Sequence, residues 1–184
     1  TRYEAGKEYP IYFRHKENMT APEELLFDCN LMAEGYAYFH LESFAISDDN
    51  QWVVYAVDTV SRRQYTLQIK HLGTGEILPY QIKNTNGQAV WAADNRTIFY
   101  TKNDPKTLRS SKIYRHHMGN NPKEDTLVFN EKDETFDCYV YREKSRKYIV
   151  ISSESTLTSE SRILRADTPE GNFKIFQERT QGLE

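Results

Sequence analysis

A unit of four short runs recurs along this sequence every 45 to 50 residues or so, and few architectures repeat on that length. In one copy, Trp52-Val53-Val54-Tyr55-Ala56-Val57 is almost continuously apolar, as a strand covered on both faces must be. In Gln64-Tyr65-Thr66-Leu67-Gln68-Ile69-Lys70, the apolar Tyr65, Leu67 and Ile69 alternate with polar neighbours, the pattern of a strand with one buried face. Gly73-Thr74-Gly75-Glu76 then supplies a turn, and a second run starts at Ile77-Leu78, so this stretch predicts a hairpin. The order returns as Thr97-Ile98-Phe99-Tyr100, Ser111 to His116, a Gly119-Asn120-Asn121-Pro122 turn and Thr126 to Phe129. It returns again as Tyr148 to Ile151, Ser161 to Ala166, a Pro169-Glu170-Gly171-Asn172 turn and Phe173 to Phe176. Each copy is preceded by one more apolar run, namely Phe44 to Ile46, Ala89 to Trp91 and Phe136 to Val140. Leu67, Tyr114 and Leu164 are equivalent positions of the repeat. Four strands per unit at this spacing predict the blades of a β-propeller, with the extra apolar runs innermost around the channel.

The start of the chain fits as an incomplete unit. Tyr9 to Arg14 and Glu24 to Asp28 read as two strands, and Leu31-Met32-Ala33-Glu34-Gly35 as one helical turn closed by glycine. The expected fold is therefore all-β: a partial propeller of about four consecutive four-stranded blades. The incomplete blade with its helical turn covers 1–35, and the others cover 36–88, 89–134 and 135–184. An arc of blades that stops short leaves open edges and apolar faces. The chain thus reads as part of a larger propeller, and a homodimer through those faces is a further expectation. A two-sheet β-sandwich is the alternative on pattern alone.

Composition narrows the partners. Thirteen Tyr, 9 Phe and 2 Trp are too many for a chain that stays disordered. No apolar run reaches the roughly 20 residues of a membrane helix. With 24 basic and 27 acidic residues mixed along the chain, there is no footprint for nucleic acid. Cys29 and Cys138 form no C-x-x-C pair. They fit free thiols in a reducing, cytoplasmic compartment; a single long-range disulfide and a periplasmic home stay open. The chain begins at Thr1 without a basic-apolar leader, so a targeting signal is absent or removed.

Little in these residues can do covalent chemistry. A nucleophilic serine on a strained strand-to-helix turn needs Gly-x-Ser-x-Gly, and none of the 8 glycines brackets a serine so. His116 and His117 are adjacent on an expected strand, so they point to opposite faces and do not share a metal. His15, His40 and His71 have no spaced partner. Asp133, Glu134 and Asp137 read as a solvated acidic loop, and the Ser/Thr-rich Ser152 to Ser161 as a loop between strands. Asn18-Met19-Thr20 and Asn95-Arg96-Thr97 match the glycosylation tripeptide but read as turns. No cofactor and no metal are implied.

The specific strings go further than the period. Asp58 to Thr66, Leu72 to Glu76, Val90-Trp91-Ala92-Ala93-Asp94, Tyr114 to Gly119, Asn130 to Phe136 and Ser155 to Glu160 together resemble the propeller of the prolyl oligopeptidase family of serine peptidases. Gly6 to Arg14 and Asp28 to Gly35 extend the likeness to the start of the chain; Ser47-Asp48-Asp49-Asn50 departs from it, since the family more often has proline at the second position. The resemblance implies a seven-bladed propeller capping an α/β-hydrolase domain of the same parent chain, which carries the Ser, Asp and His. It also implies cleavage of short peptides, after Lys or Arg in the branch these strings resemble, with the propeller restricting substrate size. By that reading the present residues are inactive alone. Arg62, Arg63, Glu160 and Arg162 read as polar strand ends or as ion pairs with the catalytic domain or between blades. The alternative is a stand-alone propeller-type interaction module with no peptidase activity.

Overall fold

The computed structural model describes residues 1–184 apart from 17, 181, 183 and 184, and the far end of the last expected blade lies outside the described residues. Strands β1 (Ile11–His15) and β2 (Glu23–Asp28) pair antiparallel, and α1 (Cys29–Met32) follows at once. The Asp28 carboxylate accepts the backbone N–H groups of Asn30 at 2.9 Å and Leu31 at 3.3 Å, satisfying donors that a helix start otherwise leaves free. Next come β3 (His40–Ile46), β4 (Trp52–Asp58), β5 (Tyr65–His71), β6 (Ile82–Trp91), β7 (Thr97–Asn103), β8 (Ser110–His117) and β9 (Thr126–Asn130). They form one antiparallel sheet in chain order. The last sheet is β10 (Asp137–Arg142), β11 (Tyr148–Glu154), β12 (Ser159–Arg165) and β13 (Lys174–Gln177), again in chain order.

The seven-stranded sheet is two blades joined through β6. Ile82 and Thr85 pair with β5, whereas Ala89, Val90 and Trp91 pair with β7. Between them Asn84 (φ 61°) and Gly87 (φ 93°) take left-handed backbone, so one strand closes the outside of a blade and opens the inside of the next. The boundary drawn between residues 88 and 89 falls inside this strand. A Cβ at Gly87 would stand 2.8 Å from Glu42 Cγ and 3.1 Å from the Tyr65 ring, so the position excludes side chains by space as well as by φ.

Alternation along each strand sorts the core. Val54 and Ala56 of β4 pack with Leu67, Ile69, Trp91, Ile98 and Tyr100. Val53, Tyr55 and Val57, on the opposite face, pack with Leu26, Phe27, Cys29 and Phe39. In β7, Ile98 and Tyr100 join the first of these cores, while Phe99 turns to Ile113, Cys138, Val140, Ile149 and Ile151. Three separate cores therefore lie between four successive blades. A β-sandwich has one core between two inner faces, so that alternative is excluded. Each fully buried aliphatic side chain here contributes about 1.5–3 kcal/mol relative to exposure.

Two stretches differ from expectation. Only an isolated bridge, Lys70 with Ile77, forms where the outer strand was expected. The turn itself is made, with the Leu78 N–H donating to the Ile69 carbonyl at 2.9 Å, but the ring of Pro79 fixes its φ away from the strand value, and the strand resumes at Ile82. The Ser/Thr-rich stretch read as a loop is mostly strand: β11 runs to Glu154 and β12 starts at Ser159. The hydroxyl-bearing Ser152 and Ser153 are buried there, so composition misled where the inter-strand pairing decides.

Two predictions follow from this packing. Gly87→Ala should destabilise by about 1–3 kcal/mol, since it adds a clash to an unfavourable φ. Gly119→Ala, at φ 96° but in open space, should lose only about 1 kcal/mol; denaturant unfolding curves separate the two. Cys29 and Cys138 are free, buried and in different cores. Burial, with a smaller contribution from Asp28, pushes the Cys29 thiol up to about 11, and burial with Glu131 nearby pushes Cys138 up to about 12. Both should stay silent to a chromogenic disulfide reagent near pH 8 and react only on unfolding; fast labelling of the native chain would contradict the packing.

Candidate functional site at the two ends of the blade arc

The inner strands β3, β6 and β10 each leave the channel through a tight turn at one end of the arc: 47–51, 92–96 and 143–147. Hydrogen bonds tie these turns together. Arg142 donates from Nη1 to Asp48 Oδ1 at 3.1 Å and from Nη2 to Asp48 Oδ2 at 2.8 Å, a two-pronged pair. Its remaining N–H groups go to the carbonyls of Trp91 at 3.3 Å and Arg146 at 2.9 and 2.7 Å. Arg146 adds a contact to Asp48 at 3.2 Å, and the Asp49 N–H donates to Asn95 Oδ1 at 3.1 Å. Asp48 and Arg142 belong to blades separated by a third, whose Trp91 carbonyl they enclose. With side chains 29% and 12% exposed, this clamp lies between a surface pair and a buried one. The wall it closes is a cleft of about 480 Å³ along Phe44, Ala89, Val90, Val140 and Tyr141.

At the opposite end the chain crosses from each blade to the next. The Asp58 side chain, buried at the end of β4, accepts the backbone N–H groups of Val60, Arg62 and Arg63 at 2.8, 2.9 and 2.8 Å. That cap holds Ser61 and Arg63 in left-handed backbone (φ 58° and 53°) and leaves the Arg62 and Arg63 side chains exposed. Neither guanidinium pairs with an acid among the described residues. Glu160 and Arg162, by contrast, are 2.9 Å apart, and the Arg162 guanidinium lies 5.1 Å from the centre of the Phe129 ring in the preceding blade. Arg179, which no sequence pattern singled out, reaches Glu131 at 2.7 Å and Glu160 at 3.8 Å and covers the Phe136 ring at 3.7 Å. Arg109 donates to the carbonyls of Phe136 at 2.8 Å and Glu131 at 3.0 Å. The structure thus brings Glu160 and Arg162 together in the seam between the last two blades and keeps Arg62 and Arg63 apart from them.

One buried network has the outline of catalytic machinery. His116 Nδ1 is 2.7 Å from Asp125 Oδ1, and its Nε2 is 3.0 Å from the Tyr80 hydroxyl. Tyr100 donates its hydroxyl to Asp125 Oδ2 at 2.9 Å, and the Gly119 N–H donates to Tyr80 at 3.0 Å. Burial raises both tyrosines above their ordinary value, reinforced at Tyr100 by Asp125. A nucleophile needs a lowered pKa or an accessible oxygen; here both hydroxyls stay protonated and His116 is fully buried. The network bolts the link before β6 to the turn after β8. His117 lies exposed on the other face of β8.

A double-mutant cycle of Asp48→Asn with Arg142→Gln should return a coupling of about 1–2 kcal/mol in unfolding free energy, only partly lost in about 0.5 M salt. Coupling near zero would reduce the clamp to an ordinary surface pair.

With this geometry in hand, comparison with known proteins places the chain. The sequence pattern described as "Prolyl oligopeptidase, N-terminal beta-propeller domain" matches residues 1–184. Dipeptidyl aminopeptidase BI of Pseudoxanthomonas mexicana is 36% identical over 198 residues, covering 100% of this chain and 27% of that protein. Protease 2 of Moraxella lacunata is 31% identical over 190 residues, with the same two coverages. Oligopeptidase B from Leishmania major superposes with a TM-score of 0.87 at 29% identity, over 96% of this chain and 26% of that one. The chain therefore spans about a quarter of the length of these relatives. Its colinear match, its three inter-blade cores and its radial strand order make it a member of the prolyl oligopeptidase family, in that family's N-terminal β-propeller.

Proposed function

We propose that these blades form the substrate-restricting part of a serine oligopeptidase that cleaves short peptides after Lys or Arg, with the catalytic α/β-hydrolase domain in the same parent chain. The observation that carries this reading is the unbroken family match over residues 1–184 against relatives roughly four times as long. The residues agree. No Gly-x-Ser-x-Gly elbow is present, and the one Asp–His–hydroxyl arrangement described above is a structural bolt, so the chemistry belongs to another domain. The last blade leaves Tyr141, Tyr148, Val150 and Ile163 along one cleft with Phe176, which is 73% exposed; we assign this face to the next blade of the parent rather than to a second copy of the chain. Arg62 and Arg63, exposed and unpaired among the described residues, are the charges available for contact with the catalytic domain, whereas Glu160 and Arg162 serve the seam between blades.

The test is the full-length parent protein. It should hydrolyse short peptides after Lys or Arg, lose activity to a serine-directed inhibitor and spare folded proteins. Arg63→Glu should change kcat/KM about three- to tenfold at low salt, with the effect shrinking as ionic strength rises. An unchanged value at low salt removes Arg63 from the contact, and a full-length chain without serine-dependent hydrolysis supports the stand-alone interaction module instead.

A further inference from the structure

A second cleft, of about 690 Å³, opens where the first complete blade meets the next, at the end opposite the Asp48 clamp. Its floor is polar and built. Tyr65 donates its hydroxyl to Glu42 Oε2 at 2.8 Å, and His40 Nδ1 lies 3.5 Å from the same oxygen. Gly87 leaves the room that the Glu42 stem and the Tyr65 ring occupy. Across the cleft, Ser110 donates to Asn103 Oδ1 at 3.0 Å, and both are buried. Two residues lining it, Arg63 and Leu108, hold left-handed backbone (φ 53° and 62°). For a side chain as bulky as leucine this conformation is unfavourable and persists only where the surroundings impose it.

We infer that this cleft is a subsite for an alkylammonium or guanidinium group carried on a peptide. Two observations converge on a cation. Glu42 supplies one carboxylate, oriented by Tyr65 yet with its side chain 40% open to solvent. Tyr38 and Tyr65 line the cleft, and tyrosine rings attract cations. Asn86 and Asn103 also line the cleft, their side-chain oxygens already accepting from the Gln88 N–H at 2.9 Å and the Ser110 hydroxyl at 3.0 Å. The exposed Arg63 also lines the cleft; assigned above to the contact with the catalytic domain, it takes no part in holding the cation. At the opposite end, both oxygens of Asp48 are taken by Arg142, and Glu143, which lines the cleft there, accepts the Ser145 and Lys147 N–H groups. That the cation arrives on a peptide rests on the function proposed above; the preference for a cation rests on the cleft alone.

The experiment uses the full-length protein and Glu42→Gln, whose carbonyl oxygen still accepts the Tyr65 hydroxyl while the charge is lost. Two peptides share one scissile lysine. One has an acetylated N-terminus and a second lysine; the other has a free N-terminal amine and no further cation. A third, acetylated and otherwise neutral, is the control. KM should rise about three- to tenfold for the first or the second with kcat unchanged, and the peptide that responds identifies the side chain or the terminal amine as the source. Glu42→Asp should retain part of the preference. Equal changes for all three peptides, or no change for any, overturn the inference. A readout independent of turnover is titration with Nα-acetyl-lysine amide while following isotope-labelled tyrosine rings. Tyr38 and Tyr65 should shift in the native protein and not in Glu42→Gln. Absence of those shifts overturns the subsite even in an active peptidase; their presence in a chain without peptidase activity keeps the subsite and refutes the catalytic reading.

Discussion

The structure depends on strands that are apolar on both faces. Val53 to Val57 of β4 and Ile98 to Tyr100 of β7 bury consecutive side chains, and consecutive side chains on a strand point in opposite directions. A sheet built on such strands cannot rest on a single partner with its other face in water. It has to be covered twice, and its neighbours inherit the same requirement. Radial stacking satisfies this one blade after another, so Phe99 serves one core and Tyr100 the core on the other side. The arc is thus a consequence of the burial pattern before any polar contact is considered.

Apolar burial, however, is non-directional, and stacked blades held by it alone would slide and tilt. Directional contacts set their angle. At one end the Asp48–Arg142 pair spans a whole intervening blade and takes in its Trp91 carbonyl. At the other, Arg109 and Arg179 gather carbonyls and carboxylates of the crossing segment 131–136. Between them, the buried His116 and Tyr100 and the half-buried Tyr80 and Asp125 form a hydrogen-bond chain. Arginine suits this work because its planar fork satisfies several acceptors at once. Three of the arginines named here use it so.

Much of the fold was legible because its signal is local. The alternation of Tyr65, Leu67 and Ile69 and the continuous run in β4 are read within seven residues, and β4 and β5 lie where those patterns place them. The displaced outer strand was also a local matter, with Pro79, whose ring fixes φ, directly after the apolar pair. Ser152 to Ser161 failed for a different reason: hydroxyl residues there are buried by pairing across strands, and composition carries no trace of a partner chain segment. The charged contacts were hardest. Asp48 and Arg142 stand far apart in sequence, and each looks like an ordinary turn residue. Arg62 and Arg63 drew attention as an adjacent pair, yet their backbone N–H groups, rather than their charges, make the local contact with Asp58. Arg179 gave no local sign at all.

The two ends of the arc consequently have different mechanical characters. Where the inner strands turn outward, one arginine makes five hydrogen bonds to four acceptor atoms on three blades, and separating the blades there breaks the three to Asp48 and Trp91 together. Where the chain crosses between the first two complete blades, the side-chain contacts are separate ones: Ser43 donates to the Gly87 carbonyl, Asn103 donates to the Thr85 carbonyl at 3.4 Å, and Asn86 donates to the Ser110 hydroxyl at 3.4 Å. A cleft opens beside them, lined by residues in left-handed backbone. Cooperative contacts resist opening in proportion to how many fail at once, and single ones yield separately. Movement between these blades is therefore expected to hinge at the clamped end and widen at the cleft, which places the adaptable part of the surface around Glu42 and Arg63.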